Sequence, residues 1–351
     1  MEMSVRFPNL HLVLEYLPRS FCVFGMEFTL YGVLIAAGAL LGLIFVILEV
    51  KRSNQDQNKY LCMIIISMVA AVAGSRLCYV VFSREIYRPA LMEIFHMRDG
   101  GYMFYGGLFT GMLASWIFCH FAHLSFWQAA DTVCPGILLG QAVGRWGNFF
   151  NRESFGEYTD SLLAMQIPVS MVRSGEVSRI MRDNMITIGG VSYIQVHPVF
   201  FYESIWCLLL LFILLNLLRK KKFHGEIFML YLSGYGLGRF FFEWLRTDKM
   251  FIPGTRIDIS LVISASLVLI FVPAVIIQRI MTVKRAVLWK NRRERDEQRE
   301  QSEQIVTQST ENPESESTIE TVGETWEDLE YAHIPRQWRH PDTGETDSKN
   351  E

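Results

Sequence analysis

The chain has 351 residues, of which 50% are hydrophobic and 20% charged, and a formal net charge of −3. The apolar residues lie in long runs instead of alternating with charges, which excludes an ordinary soluble protein; several runs reach about 20 residues, enough to cross a hydrocarbon core of about 30 Å. The small net charge averages an apolar body and a very polar end, and points to no nucleic-acid partner.

In chain order, residues 1–26 precede the first apolar run and lack the basic start, single apolar stretch and small-residue cleavage site of a signal peptide. They are expected to lie outside the cytoplasm. Apolar run length predicts seven membrane helices, at about 27–49, 60–82, 103–122, 127–150, 197–218, 225–246 and 258–280. The third and fourth are joined by a short turn at 123–126. Between the fourth and fifth, residues 151–196 form a longer polar insertion, an extracytoplasmic head. Within it, 185–188 and 191–194 flank Gly189-Gly190 and read as a small β-hairpin.

The fold class expected is therefore an all-α, multi-pass membrane protein of about seven helices with a small head containing a hairpin. Residues 27–282 would be the membrane domain, and residues 283–351 a basic juxtamembrane segment followed by a tail. From about Lys290 the apolar periodicity stops, and the Glu-, Ser-, Thr- and Gln-rich remainder reads as a disordered extension, with residues 331–339 a candidate docking motif. Basic residues at 219–222 and 284–295 fall on one side of a seven-span chain. The positive-inside rule puts that side in the cytoplasm and the N-terminus outside, although Arg173, Arg179 and Arg182 in the head argue the other way. Cys22, Cys62, Cys78, Cys119, Cys134 and Cys207 lie mostly in or beside apolar runs without metal-type pairing, and read as small buried residues and not as a disulfide framework or zinc site.

Alternating helix directions bring unusual polar residues to one membrane face. Tyr31 is near the start of the first span, Arg76 near the end of the second, and Tyr105-Gly106-Gly107 opens the third. Arg145, Asn148 and Asn151 close the fourth; His197, Tyr202 and Glu203 open the fifth; Arg239, Glu243 and Arg246 close the sixth. A single arginine near a helix end can snorkel to the interface. Polar groups from several helices at one level point instead to a shared cavity. Arg239 and Glu243 are four apart and share a helix face, as do Arg145 and Asn148, three apart. Arginines, amides and a glycine-bearing helix start describe an anion site, and in a bilayer the obvious anion is a lipid phosphate. Gly32, Gly42 and Gly111 read as helix-packing positions, Gly147 and Gly156 as shaping the loop at the cavity, and Asp131, at the other end of its helix, as structural.

The run Gly144-Arg145-Trp146-Gly147-Asn148-Phe149-Phe150-Asn151-Arg152-Glu153-Ser154-Phe155-Gly156 resembles the prolipoprotein diacylglyceryl transferase signature G-R-x-G-N-F-x-N-x-E-x-x-G. Tyr31-Gly32, Ala130-Asp131 through Pro135, His197-Pro198 with Tyr202-Glu203, and Gly238-Arg239 with Glu243 and Arg246 resemble the family's other blocks, in the family's order. The resemblance covers about residues 25–280. One position departs: the family's His-Gly-Gly-Leu is here Tyr105-Gly106-Gly107-Leu108. A free tyrosine, with a pKa near 10, is a poor base at neutral pH. The departure leaves open a tyrosine version of the family, a base from elsewhere such as His197, or an inactive relative.

The resemblance implies that a lipobox cysteine thiol attacks the glycerol carbon of phosphatidylglycerol that bears the phosphate bond, forming a thioether and releasing glycerol phosphate. That chemistry requires no metal or redox cofactor; the partners it implies are phosphatidylglycerol, the prolipoprotein signal peptide and the bilayer of a bacterial cytoplasmic membrane. It casts Tyr105, Arg145 and Arg239 as catalytic. Tyr31, Gly106, Gly107, Asn148, Asn151, Glu153, Gly156, His197, Tyr202, Glu203, Glu243 and Arg246 become substrate-binding, together with Arg145. The reading from another class is a lipid-binding scaffold or transporter whose arginine cavity holds an anion without chemistry.

Overall fold

Short polar side chains open the helices where loops give way to apolar runs. Thr29 accepts from the Gly32 N–H, Asp56 from the Asn58 and Lys59 N–H groups, and Ser125 from the Gln128 N–H. The computed structural model describes residues 4–83, 101–247, 255 and 258–311. They form α1 (Leu30–Arg52), α2 (Gln57–Phe82), α3 (Phe104–Phe121), α4 (Phe126–Asn151), the short α5 (Arg179–Asp183), α6 (Val199–Leu218), α7 (Glu226–Leu245) and α8 (Ile259–Glu311). The protein is mostly helical. Among the described residues, four segments are long and apolar enough to cross a membrane: Leu30–Arg52, Gln57–Phe82, Val199–Leu218 and Ile259–Gln304. Their outward residues include Leu40, Val69, Phe212 and Leu269, between 58% and 73% exposed, a surface that suits lipid and not water.

The crossing of α1 and α4 is built from glycine. A Cβ on Gly42 of α1 would stand 2.5 Å from the Gly136 carbonyl oxygen of α4, and one on Gly38 would stand 2.8 Å from that of Gly140. Each helix thus presents two glycines four apart, the small-residue spacing that lets membrane helices touch backbone to backbone. Gly111 of α3 likewise lies against Ala71 of α2, whereas Gly32 meets only its own cap residue, Thr29. α4 packs on α1, α6 and α7, and α3 on α2. Cys134, Leu138, Cys207, Leu211, Leu214, Ile227 and Tyr231 form the core shared by α4, α6 and α7.

Asp131 explains how α7 begins. It is fully buried in α4, and its carboxylate accepts from Lys221 Nζ (3.1 Å), the Gly225 N–H (2.8 Å) and the Phe228 N–H (3.0 Å). Gly225 sits at φ +94°, with Trp127 where a Cβ would go, so only glycine fits that cap.

The head is an antiparallel five-stranded sheet in the order β2-β1-β5-β7-β6, made from β1 (Val5–Phe7), β2 (Leu12–Leu14), β5 (Met165–Pro168), β6 (Ile186–Ile188) and β7 (Val191–Val196). β6 and β7 pair across Gly189-Gly190, both at positive φ. The N-terminal residues, expected only to lie outside, supply two strands of this sheet, and a separate hairpin of β3 (Ser20–Val23) and β4 (Met26–Thr29) leads into α1. Val5, Met165, Ile167, Ile194 and Val196 of the sheet pack with Phe149 of α4 and Phe200 of α6. This core seats the head on the helix ends that carry the polar residues.

The contacts divide the chain at Val283. Past Lys290, where the apolar periodicity stops, α8 continues to Glu311, with Lys290–Glu294 (3.7 Å) and Arg293–Glu297 (3.0 Å) pairs one turn apart supporting a polar helix. The remainder of the expected tail, with the 331–339 motif, lies outside the described residues.

Candidate functional site

Glu203, in the second turn of α6 and 3% exposed, is where the arginines meet. Its Oε2 lies 2.9 Å from Arg145 Nη1 of α4. Its Oε1 lies 3.2 Å from Arg239 Nη1 of α7 and 3.6 Å from Nη1 of Arg246, the residue that ends α7. Arg239 Nη2 also pairs with Glu243 Oε2 at 3.0 Å, one turn along its own helix. Arg145 donates from Nη2 to the Tyr235 hydroxyl at 3.2 Å, and Arg246 from Nη2 to the Ser154 hydroxyl at 2.9 Å. Two helices, α4 and α7, thus deliver three guanidiniums to one carboxylate on a third, α6. Glu203 Oε2 and Glu243 Oε2 have these ion pairs but no aligned hydrogen bond, so charge holds the guanidinium edges without locking their direction.

The turn after α4 fixes the network from the head side. Arg152 and Ser154 adopt left-handed backbone at φ 56° and 57°, an uncommon conformation away from glycine that brings the Ser154 hydroxyl to Arg246. Gly156 then bonds on two sides: its N–H reaches the His197 carbonyl at 3.0 Å, and it bridges to Arg246 across the end of α7. A Cβ there would lie 2.8 Å from both the His197 Cβ and the Leu245 carbonyl oxygen, so this contact needs glycine. His197 precedes α6, whose N-cap is Pro198, and its Nδ1 lies 3.5 Å from the Tyr202 hydroxyl. Burial lowers the His197 pKa from its ordinary value.

Other expected residues stand around or away from this centre. Tyr31 packs on Gly147 of α4, within electrostatic reach of Arg145 and Glu153. The Asn151 amide donates to Glu153 Oε1 at 3.4 Å, and Glu153 Oε2 lies 3.8 Å from Arg173 of the head. Asn148, half-buried, takes the Glu153 N–H on its carbonyl at 3.1 Å. Tyr105 is 38% exposed at the start of α3, its ring edge-on to Phe104; among the described residues it makes no hydrogen bond to the arginine network. Gly106 and Gly107 face α2, where added Cβ atoms would meet Cys78 and the Ala71 carbonyl oxygen, and the Gly107 N–H already bonds Met103. Arg76, buried, donates to the Gly101 carbonyl at 3.1 Å and stacks over Tyr102, ordering the approach to α3.

Sequence reasoning missed Tyr235, Ser154 and Trp206, and Asp258 beside Glu243. The signal for Tyr235 was present: it precedes Arg239 by one turn, so Tyr235, Arg239 and Glu243 share a face. Arg145, Glu203, Trp206, Cys207, Tyr235, Gly238, Arg239 and Phe242 enclose only about 10 Å³, room for about one water. The arginines are closed on Glu203.

Residues 18–277 match the family described as prolipoprotein diacylglyceryl transferase. The chain is 38% identical over 240 residues to the phosphatidylglycerol--prolipoprotein diacylglyceryl transferase of Clostridium botulinum (strain Langeland / NCTC 10281 / Type F), covering 68% of this chain and 89% of the relative. Similar proteins of the same name occur in Finegoldia magna, at 35% over 240 residues (68% and 87%), and Clostridioides difficile (strain 630), at 35% over 237 residues (68% and 86%).

Proposed function

The chain belongs to the prolipoprotein diacylglyceryl transferase family, and from that premise we propose how its arginine network performs the transfer. The protein is a membrane transferase that moves the diacylglyceryl group of phosphatidylglycerol to a prolipoprotein, the first step of lipoprotein maturation. The acceptor is the thiol of the lipobox cysteine. Its sulfur attacks the glycerol carbon of the diacylglyceryl unit, a C–S bond forms, and the C–O bond to phosphate breaks with its electron pair staying on oxygen. The thiol proton passes to water, and glycerol phosphate leaves.

The observation that carries this reading is Glu203 holding Arg145, Arg239 and Arg246 within 2.9–3.6 Å. Arginine stays charged in a low-dielectric site and offers a planar fork that matches phosphate oxygens. Arg145 binds the headgroup phosphate, exchanging part of its contact with Glu203 for the ligand. Arg239 stabilises the charge growing on the departing phosphate, and Arg246, tied to Ser154, completes the cationic wall. Asn148 and Asn151 position the headgroup glycerol. Glu203, Glu243 and Glu153 orient the arginines, and Gly156 with His197 and Tyr202 shapes the mouth. Tyr31 adds a hydroxyl on the α4 side. Tyr105, at the exposed start of α3, hydrogen-bonds the incoming thiol, while the positive field raises the thiolate fraction above the few per cent expected at a pKa near 8.5. Gly106 and Gly107 act by seating α3 against α2.

All seven long helices among the described residues cross the bilayer in this reading, α3, α4 and α7 completing the bundle through their contacts with α2, α1 and α6. The head and the arginine network face outward, and the basic residues at 219–222 and 284–295 stay in the cytoplasm of a bacterial cell.

The test uses purified protein in nanodiscs containing phosphatidylglycerol, with a lipobox peptide, following glycerol phosphate release and peptide mass together. Wild type is expected to show both signals in equal amount; a folded protein showing neither would leave only lipid binding. Arg145→Gln is expected to lose at least about 100-fold in transfer while remaining folded, the scale of removing one charge-stabilising donor. Near-normal turnover in that variant would sink the role given to Arg145. Tyr105→Phe, which removes one hydrogen bond, is expected to lower kcat about tenfold with KM for the lipid unchanged. An unchanged kcat would take Tyr105 out of the chemistry.

A further inference from the structure

Transfer changes the charge of the phosphate. The lipid diester carries one negative charge, whereas the released monoester, whose second ionisation lies near pH 6, carries about −1.5 to −2 at neutral pH. A place that holds the product in preference to the lipid therefore needs cations beyond those of the membrane site, in polar and water-facing surroundings.

Such a place lies on the head. A cleft of about 300 Å³ is bounded by three segments distant in sequence: Arg19 before β3, Asn151, Arg152 and Glu153 after the body of α4, and residues 170–176. Its volume is at the small end of the roughly 300–1,000 Å³ of ligand pockets, which suits a headgroup and not a lipid. Arg19 donates from Nη2 to the Met171 carbonyl. Arg152 donates from Nη1 to the Phe150 carbonyl at 3.0 Å and from Nη2 to the Leu17 carbonyl. Arg173 stands between two carboxylates, 3.8 Å from Glu153 and 3.4 Å from Glu176. Burial, and then the nearby Arg19 charge, pull the Arg152 guanidinium down to about 10. Both guanidiniums belong to residues lining the same cleft. The cleft also adjoins the reaction centre, since Asn151 follows Arg145 by six residues of α4, about 9 Å along the helix axis.

Resting on the diacylglyceryl transfer assigned above, we propose that this cleft is a product site for a small polyol phosphomonoester, with Arg19 and Arg152 on the phosphate and Asn151 and Ser170 on the hydroxyls. The glycerol phosphate freed at the arginine network passes along the end of α4 into the cleft and leaves through the head.

The full chain in phosphatidylglycerol nanodiscs tests this through inhibition of transfer by added glycerol phosphate. Arg19 is exposed and outside the catalytic network, so Arg19→Gln and Arg19→Lys are the variants to compare. The inhibition constant is expected to rise about tenfold in Arg19→Gln and less in Arg19→Lys, with kcat/KM for the lipid within about twofold of wild type. An unchanged inhibition constant in Arg19→Gln overturns the proposal. Inorganic phosphate and a water-soluble short-chain phosphatidylglycerol are run alongside. Equal potency of inorganic phosphate with the same dependence on Arg19 would make the cleft a general phosphate site, and the same result for the short-chain lipid would make it a substrate site; either overturns the product assignment. Should wild type show no transfer, the transferase reading fails by itself. Calorimetric binding of glycerol phosphate to wild type and Arg19→Gln then still decides the cleft.

Discussion

Glu203 bears most of the electrostatic responsibility in the site. It is 3% exposed and touches three guanidiniums, which without it would face one another in a low-dielectric interior. Removing one partner of a buried ion pair costs about 3–5 kcal/mol, because the remaining charges stay buried. Glu203→Gln is therefore expected to lower the unfolding midpoint in detergent and to cut transfer by at least about 100-fold. Glu243→Gln, which loosens the pair with Arg239, should do less of both. Scanning fluorimetry with parallel turnover measurements checks this; a Glu203→Gln protein as stable as wild type would mean that the arginines are neutralised some other way. Arg145, Asn148, Asn151, Glu153 and Gly156 were legible in the sequence because they sit in one run, and Arg239 with Glu243 because of helical spacing. That Glu203 organises them was not legible: its partners come from two other helices, and only packing brings them together. The position of Tyr105 in a motif did not tell that its side chain stands 38% exposed at the start of α3.

Among the elements, α7 depends on a residue outside itself. Its first turn leaves N–H groups without helical partners, and the Asp131 carboxylate of α4 takes those of Gly225 and Phe228 while pairing with Lys221. Asp131→Ala would strand these donors in a buried place, at a cost of about 3 kcal/mol. The expected outcome is a lower unfolding midpoint with near-normal turnover for the molecules that remain folded, because Asp131 lies at the opposite end of α4 from Arg145. A variant with a normal midpoint would show that α7 needs no such cap, and one that folds normally without turning over would give Asp131 a part in catalysis. The helices were readable from their apolar runs. The sheet was only half readable: Gly189-Gly190 marked the β6–β7 turn, but β1 and β2 are three residues each, too short for alternation to register. Their identity as strands comes from pairing with each other and with β5, which local sequence does not encode.

At the scale of the whole molecule, every residue assigned to the site lies before the division at Val283. The polar part of α8 begins after it, and its charges are arranged to hold a helix: Lys290 with Glu294, and Arg293 with Glu297. Exposed pairs of this kind contribute about 0.3–0.5 kcal/mol each, enough to extend a helix already nucleated by its apolar half but not to build a core. In the topology proposed above the cations at 284–295 have a separate use, because positive charge next to the last apolar turn favours the cytoplasmic side. These two roles separate in a truncation. Deleting residues 296–351 keeps the anchor and removes the rest, so transfer per folded molecule is expected to stay within about twofold of the full chain. Neutralising the cations at 284–295 in the full-length protein should instead lower membrane insertion, read as less protein in the membrane fraction with normal turnover in what remains. A truncated protein that inserts normally but loses more than about tenfold in transfer would place part of the machinery beyond Arg295, and the arginine network would then be an incomplete account of the enzyme.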